Sequence, residues 1–383
     1  MHQCHAHDHV QFKTDGWLLP FEKLVTKVFK GQQKGVVNQA TTIWRGKQLS
    51  KALDEGYGKS LANVDYDTPD FEMLRQLQAN VWSFSCSADY QQLKDLNAAL
   101  VDANGKQRSF SEFKAEAQKI GEVYNKQRLE VEYNHAVATS QMATRWVEFQ
   151  QNEDIAPNLK YTTVGDDRVR QAHRALNGII RPIKDSFWDV YYPPNDWGCR
   201  CDVQQVDGKE TDISKKALPT LPAMFKTNLA KDGVLYPDGH PYFATEEKAD
   251  RKAIADVAKN LYAKFTRAFV RQQSKKDYKE DKYFKVSKLN APVRVGYSEI
   301  KNITGKPHQN AALRNMVANN IEGVLQLAKP VKTAKDTKPE HNGKYSEWAY
   351  YLYEFGEDKF YINLGKLSKG NLYELHAITD KIK

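Results

Sequence analysis

Hydrophobic and polar positions along the chain repeat with two different periods, and the change of period divides it. In "PFEKLVTKVFKG", Phe21, Leu24, Val25, Val28 and Phe29 share one helical face, and Gly31 ends the helix. "DTPDFEMLRQLQANVWSF" repeats the design, with Asp67 or Thr68 as cap, Pro69 in the first turn, then Phe71, Leu74, Leu77 and Val81. A third run, "SFSEFKAEAQKIGEVYNKQRLEVEYNHAVATSQMATRWVEFQ", opens with Ser109 and Glu112 at capping-box spacing. Apolar residues recur there at steps of three and four, among them Ile120, Val123, Tyr124, Val131, Val137 and Trp146. Residues 1–151 therefore read as a helical region. Helices this long and polar are expected to line a subunit interface or lie across a partner, and no catalytic constellation stands out among them.

From residue 152 the pattern shortens. "YTTVGDDRVRQAHRALNGIIRPI" predicts a short strand, an Asp166 cap, a brief helix over residues 167–176 and an Asn177-Gly178 stop. "IIRPI" and "FWDVYY" look β-rich, and the turn "YYPPNDWGCRCDV" follows. Residues 206–250, punctuated by Pro and Gly, read as an extended arm closing a region over 152–250. A charged helix near 252–276 makes 251–282 a linker. Beyond it, 283–383 predicts a strand in "APVRVGYSEI", helices in "PHQNAALRNMVANNIEGVLQLA", a hairpin around Gly356-Glu357-Asp358 and a last strand in "NLYELHAITD". The fold class is α+β: a mostly helical N-terminal region, a small β-containing core, and a C-terminal α+β domain with an antiparallel sheet.

Composition adds a compartment and a charge asymmetry. The 383 residues carry a net charge of +9, and residues 281–383 hold 17 Lys and Arg against 11 Asp and Glu, or +6 of it. A basic C-terminal module suits a polyanion such as RNA or DNA, or is simply a solvated lysine-rich surface. Four cysteines in so long a chain make no disulfide framework. Neither a secretory signal nor an apolar run of roughly 18–20 residues occurs, so a soluble protein with no membrane contact, made in a reducing cytosol, is expected.

The candidate chemistry of the middle region centres on two cysteines. Cys199 and Cys201 point the same way if their segment is extended, and Arg170 and His173 lie one helical turn apart. His173, Cys199 and Cys201, with His240 from "DGHPYF", would make a soft-ligand zinc site fastening a small β element. Alternatively the cysteines are buried packing residues while the arginines pair with Asp166 and Asp167, or they form a redox pair. A cysteine nucleophile with His173 as base lacks an oxyanion-hole signature. His2, Cys4, His5, His7 and His9 would bind metal only adventitiously, having no supporting shell.

Thr163, Asp166, Arg168, Val169, Arg170, His173, Leu176 and Gly178, followed by Pro193, Pro194, Cys199, Arg200 and Cys201, form an ordered signature. It resembles that of the phage Mu F-like minor head proteins. The resemblance implies a few-copy head component, working with phage portal and capsid proteins in head morphogenesis or DNA delivery. It further implies a protein found in the host cytoplasm during assembly and then in the virion head.

Proteins similar to Mu F often carry an extra C-terminal module. Here "VGYSEIKNITGKPHQN", "YYLYEFGEDKFYINL" and "LYELHAITD" resemble phage-encoded nucleases of the barnase–EndoU–colicin–RelE type. That implies metal-independent RNA cleavage through the 2′-hydroxyl, which needs a base, an acid and a cation. His308 and His376 are the candidate acid and base, Arg314 or Lys344 the cation, and Thr379 and Tyr345 hydrogen-bonding groups; His341, in a turn, is the weakest candidate. The alternative is a purely structural or nucleic-acid-binding domain. No phosphate-cradling loop and no paired carboxylates of a two-metal nuclease are present.

Overall fold

The computed structural model describes residues 15–66, 68–337 and 339–382, so the N-terminal His2, Cys4, His5, His7 and His9 and the alternative cap Asp67 lie outside the described residues. The protein is α+β and separates into two compact units, one ending at Ala258 and the other beginning at Lys259. No described helix is long and apolar enough to cross a membrane.

The first unit is built on long helices: α1 (Leu18–Phe29), α2 (Gln39–Tyr57), α3 (Pro69–Ala98), α4 (Phe110–Glu122) and α5 (Leu129–Gln151). Their starts obey local chemistry. The Thr68 hydroxyl accepts from Phe71 N–H with Pro69 in the first turn, and Ser109 and Glu112 close the expected capping box. Phe21, Leu24, Val25 and Val28 are buried together with Trp17, Leu93, Leu96 and Phe113 in one cluster. A larger core joins Leu49 and Leu53 of α2, Leu74, Leu77 and Val81 of α3, and Tyr133 and Ala136 of α5. Much of the apolar face of each helix is thus covered within the chain, while Val131 of α5 and Phe110 of α4 stay exposed.

The third apolar run is not one continuous α-helix. A π-helical turn, Val123–Arg128, sits between α4 and α5. There the Tyr124 carbonyl accepts from Arg45 Nη2 at 2.7 Å, while Arg45 Nη1 lies 2.5 Å from Glu132. Both charges are buried, so each serves as the other's substitute for water. Nearby, α2 and α5 touch backbone to backbone at Gly56, where an added Cβ would stand 2.2 Å from the Val137 carbonyl oxygen.

The middle of the chain folds onto this bundle. β1 (Asn158–Thr162) is the centre of a three-stranded antiparallel sheet, flanked by β2 (Ile180–Pro182) and β3 (Asp202–Val206). Its alternation sends Leu159, Tyr161 and Val203 into the main core. Between the strands lie α6 (Gln171–Arg174) and α7 (Phe187–Tyr191). The second corrects the β reading of "FWDVYY": Asp185 Oδ1 accepts from Phe187 N–H, which starts a helical turn that buries Phe187 and Trp188. Asp166 is not the cap of α6 either, because its carboxylate is committed to Arg200.

Residues 206–250 are extended but not free. Asn80 of α3 holds the backbone of Leu235 and Tyr236 through three amide hydrogen bonds of 2.9–3.0 Å. The Tyr236 ring stacks on Phe84 at 3.6 Å between centroids, and its hydroxyl donates to the Glu132 carbonyl at 2.7 Å. The arm includes two short helices, α8 (Leu229–Asp232) and α9 (Pro241–Ala244), and α10 (Arg251–Asp277) follows it.

The second unit has a six-stranded sheet in the order β4 (Lys282–Phe284), β5 (Val293–Val295), β9 (Tyr373–Thr379), β8 (Asp358–Leu367), β7 (Tyr345–Phe355), β6 (Lys329–Lys335). All pairs are antiparallel except β5 with β9. Three helices, α11 (Tyr297–Gly305), α12 (Ala311–Asn319) and α13 (Ile321–Leu327), fill the connection from β5 to β6. The expected hairpin is β7–β8, turning at Gly356-Glu357. Gly365 of β8 leaves room for two rings of β7: a Cβ there would fall 2.7 Å from Tyr345 and 2.9 Å from Trp348.

Candidate functional site

The two halves of the signature meet. His173, at the buried side of the single turn α6, brings its Nδ1 to 3.6 Å from Cys199 Sγ and 3.5 Å from Cys201 Sγ. The three ligand atoms lie within 4.8 Å of one another, and no fourth His, Cys, Asp or Glu joins them among the described residues. The Cys-x-Cys segment is extended, so residues two apart face the same way. It runs straight into β3, whose pairing with β1 fixes its position.

The turn before it is stiffly held. Pro193-Pro194 is a cis peptide, and the side-chain Oδ1 of the buried Asn195 accepts from Tyr161 O–H at 2.8 Å. The Asp196 backbone oxygen accepts from Cys199 N–H, and Gly198 takes the left-handed conformation the loop requires. Arginines clamp the two halves from outside. Arg200 makes a bidentate pair with Asp166 at 2.7 and 2.8 Å, and Arg168 approaches the same carboxylate at 3.5 Å. Arg170, which precedes α6, reaches Asp196 at 3.1 Å and the Trp197 carbonyl at 2.7 Å. Every charged residue of the signature therefore spans from one half to the other or to its immediate neighbour.

The two thiols are pushed in opposite directions. Cys199 is held well below the ordinary thiol range, first by its contact with Cys201 and then by His173, against the opposing effect of burial. Cys201 is pushed up because Cys199 carries the charge beside it, with burial adding to the shift. Two cysteine sulfurs and an imidazole nitrogen at one point form a soft, zinc-type donor set. A tetrahedral zinc with ordinary bond lengths needs nitrogen–sulfur edges of about 3.6 Å, which the 3.5 and 3.6 Å separations match.

His240 is not part of this cluster. Its Nδ1 accepts from Tyr242 N–H at the start of α9, and its ring packs on Phe84 and Tyr242. Burial lowers its pKa to about 4, as it does for His135 next to it in the same aromatic group.

Residues 94–204 match the family described as phage Mu protein F like protein. The chain carries a Mu F-like domain. The chain is 44% identical over 68 residues to the Mu-like prophage FluMu F protein of Haemophilus influenzae, covering 18% of this chain and 16% of that protein. It is also 34% identical over 85 residues to the putative capsid assembly protein F of Escherichia phage Mu, covering 22% and 19%. The matched stretch spans less than a fifth of either curated relative. No solved structure matches the chain. The Mu F-like domain thus takes in the end of α3, all of α4 and α5, and the sheet up to β3, so the signature cluster is its closing element.

In the second unit the candidate residues fall in two places, and the Tyr345 ring packs against His341 and His376 at 5.6 and 5.8 Å between centroids. His308 is buried beside Phe360, 3.1 Å from Asp380, and burial lowers its pKa. Arg314 is buried and donates to Asn315 and the Lys306 carbonyl. Lys344 pairs with Glu374 at 2.7 Å, and Tyr345 donates to the same carboxylate. His376 and Thr379, by contrast, line a cleft of about 270 Å³ together with His341, Lys306 and Lys335. His341, ranked last from sequence, is there because its partner Asp336 stands at the end of β6.

Proposed function

We propose that the chain is a phage head-assembly component, acting with portal or capsid proteins in the host cytoplasm and retained in the virion head. The observation that carries this reading is the Mu F-like domain over residues 94–204, with its signature intact and folded into a self-supporting cluster. One relative bears the name capsid assembly protein. The chemistry of the cluster favours fastening. Its arginines are paired, and its histidine and Cys199 are buried.

The finer part of the proposal is that the fastening is by zinc, held by His173, Cys199 and Cys201. Such an ion, when bound, supplies a covalent-strength tie and no reaction. It suits a β element of three short strands that has little core of its own. The described residues supply three of the four ligands of a tetrahedral ion.

For the second unit we propose a nuclease acting on RNA, delivered with the phage head. The polar cleft with two histidines and two lysines favours this over a purely structural role. Gradient-purified virions from a host carrying the encoding phage test the head assignment. The chain is expected in them by mass spectrometry at a few copies per head. Its absence from both mature heads and assembly intermediates contradicts the assignment.

A further inference from the structure

The cleft in the second unit has a more specific arrangement than its candidate residues implied. His341 Nδ1 lies 2.9 Å from both carboxylate oxygens of Asp336. The Asp336 carboxylate is almost wholly buried, and it also accepts from Trp348 Nε1–H at 3.0 Å. Trp348 reaches it because Gly365, its cross-strand partner on β8, has no side chain to displace the indole. The imidazole of His341 is therefore oriented by a fixed anion through one nitrogen, which leaves Nε2 as the nitrogen turned away from the dyad. The His376 ring stands 6.0 Å from the His341 ring, and 4.9 Å from Trp348, in the middle of β9. Lys306 and Lys335 stand on the rim, Thr379 completes the wall, and Tyr350 offers a ring beside Trp348.

We infer that His341, oriented by Asp336, and His376 are the proton-transfer pair of this cleft, with a single-stranded RNA phosphodiester as substrate. The inference rests on the nuclease reading and replaces His308 as a member of the pair. A carboxylate-oriented imidazole is suited to accept a proton, and a second imidazole about one phosphate's width away is suited to give one. His341 Nε2 takes the proton of the ribose 2′-hydroxyl. That oxygen attacks phosphorus, the bond from phosphorus to the 5′-oxygen breaks, and protonated His376 donates its proton to the departing oxygen. The products are a 2′,3′-cyclic phosphate and a 5′-hydroxyl end, and no oxidant or metal is consumed. The two lysines offset the phosphate charge, and Tyr350 provides a face for a base. DNA lacks the 2′-hydroxyl, so it is bound but not cut. Asp336 is a positioning residue, since it acts through His341.

The test uses the full-length protein and a mixed-sequence RNA oligonucleotide, with product ends identified by mass spectrometry and folding of each variant checked by thermal melting. Wild type is expected to leave 2′,3′-cyclic phosphate ends. His341→Ala and His376→Ala each lower kcat by about 10²- to 10⁴-fold, and His308→Ala leaves it within a factor of a few. Asp336→Asn, which keeps an acceptor for Trp348, is expected to lower kcat by about 10-fold or more while leaving KM within a factor of a few, because the imidazole loses the carboxylate that orients it. Should His341→Ala lower the melting temperature sharply, His341→Gln and the split between kcat and KM in Asp336→Asn decide in its place. An active wild type whose His341 or His376 variants keep full rate overturns the pair and leaves the nuclease reading standing. A wild type that cuts no RNA overturns both.

Discussion

At the scale of single residues, the first unit hides titratable groups that burial has neutralised. His135 contacts the Leu235 carbonyl at 3.0 Å and Trp197, Phe225 and Tyr236 by its ring, and burial lowers its pKa to about 4. The unfolded chain takes up a proton at an ordinary histidine pKa of about 6.5, so acidification from there favours unfolding, and the loss continues until the folded state also protonates near 4. His135→Phe removes that linkage. The stability advantage of wild type over this variant is expected to shrink by up to about 3 kcal/mol between pH 6.5 and 4, measured by denaturant titration. A gap that does not change with pH would mean that the imidazole is solvated. The same scale shows why the signature was readable and His240 was not. His173, Cys199 and Cys201 come from one ordered motif, whereas His240 was recruited by residue type alone, and only the path of the arm decides that it caps α9. His341 was underrated because a histidine in a turn has no visible partner. Asp336 lies five residues earlier, at the end of a strand whose position is set by pairing with β7.

At the scale of elements, periodicity recovered α1, α3, the run that holds α4 and α5, and the hairpin, where many residues vote for one answer. It failed on "FWDVYY", whose aromatics favour strands locally. One carboxylate, Asp185, redirects the segment into a turn of helix whose aromatic face meets the core. Periodicity also did not anticipate the π turn, which depends on Arg45 from another helix. Helix contacts set the tolerance of each glycine. Gly56→Ala forces apart α2 and α5 at the Val137 carbonyl and is expected to cost about 1–3 kcal/mol. Gly323→Ala in α13 meets nothing within 4 Å and is expected to gain about 0.5–1 kcal/mol from helix propensity alone. Thermal melts that showed both changes with the same sign would contradict this view of the helix contacts.

At the scale of the whole molecule, the chain combines a helical Mu F-like domain with an α+β unit of different chemistry. In the first unit the arginines of the signature are paired around a three-residue cluster, and the second unit holds a polar cleft. On the reading we propose, the signature fastens and the reaction belongs to the cleft of the second unit. Sequence alone assigned the family and the fold class because both rest on local pattern. It could not choose between zinc and simple packing, since that depends on three side chains arriving at one point. Metal analysis of the purified full-length chain, compared with its Cys199→Ser/Cys201→Ser double variant, tests the fastening directly. The comparison subtracts whatever the N-terminal histidines hold. The account predicts about one more equivalent of zinc in wild type than in the variant, together with a higher melting temperature. Equal zinc content in the two proteins would contradict it.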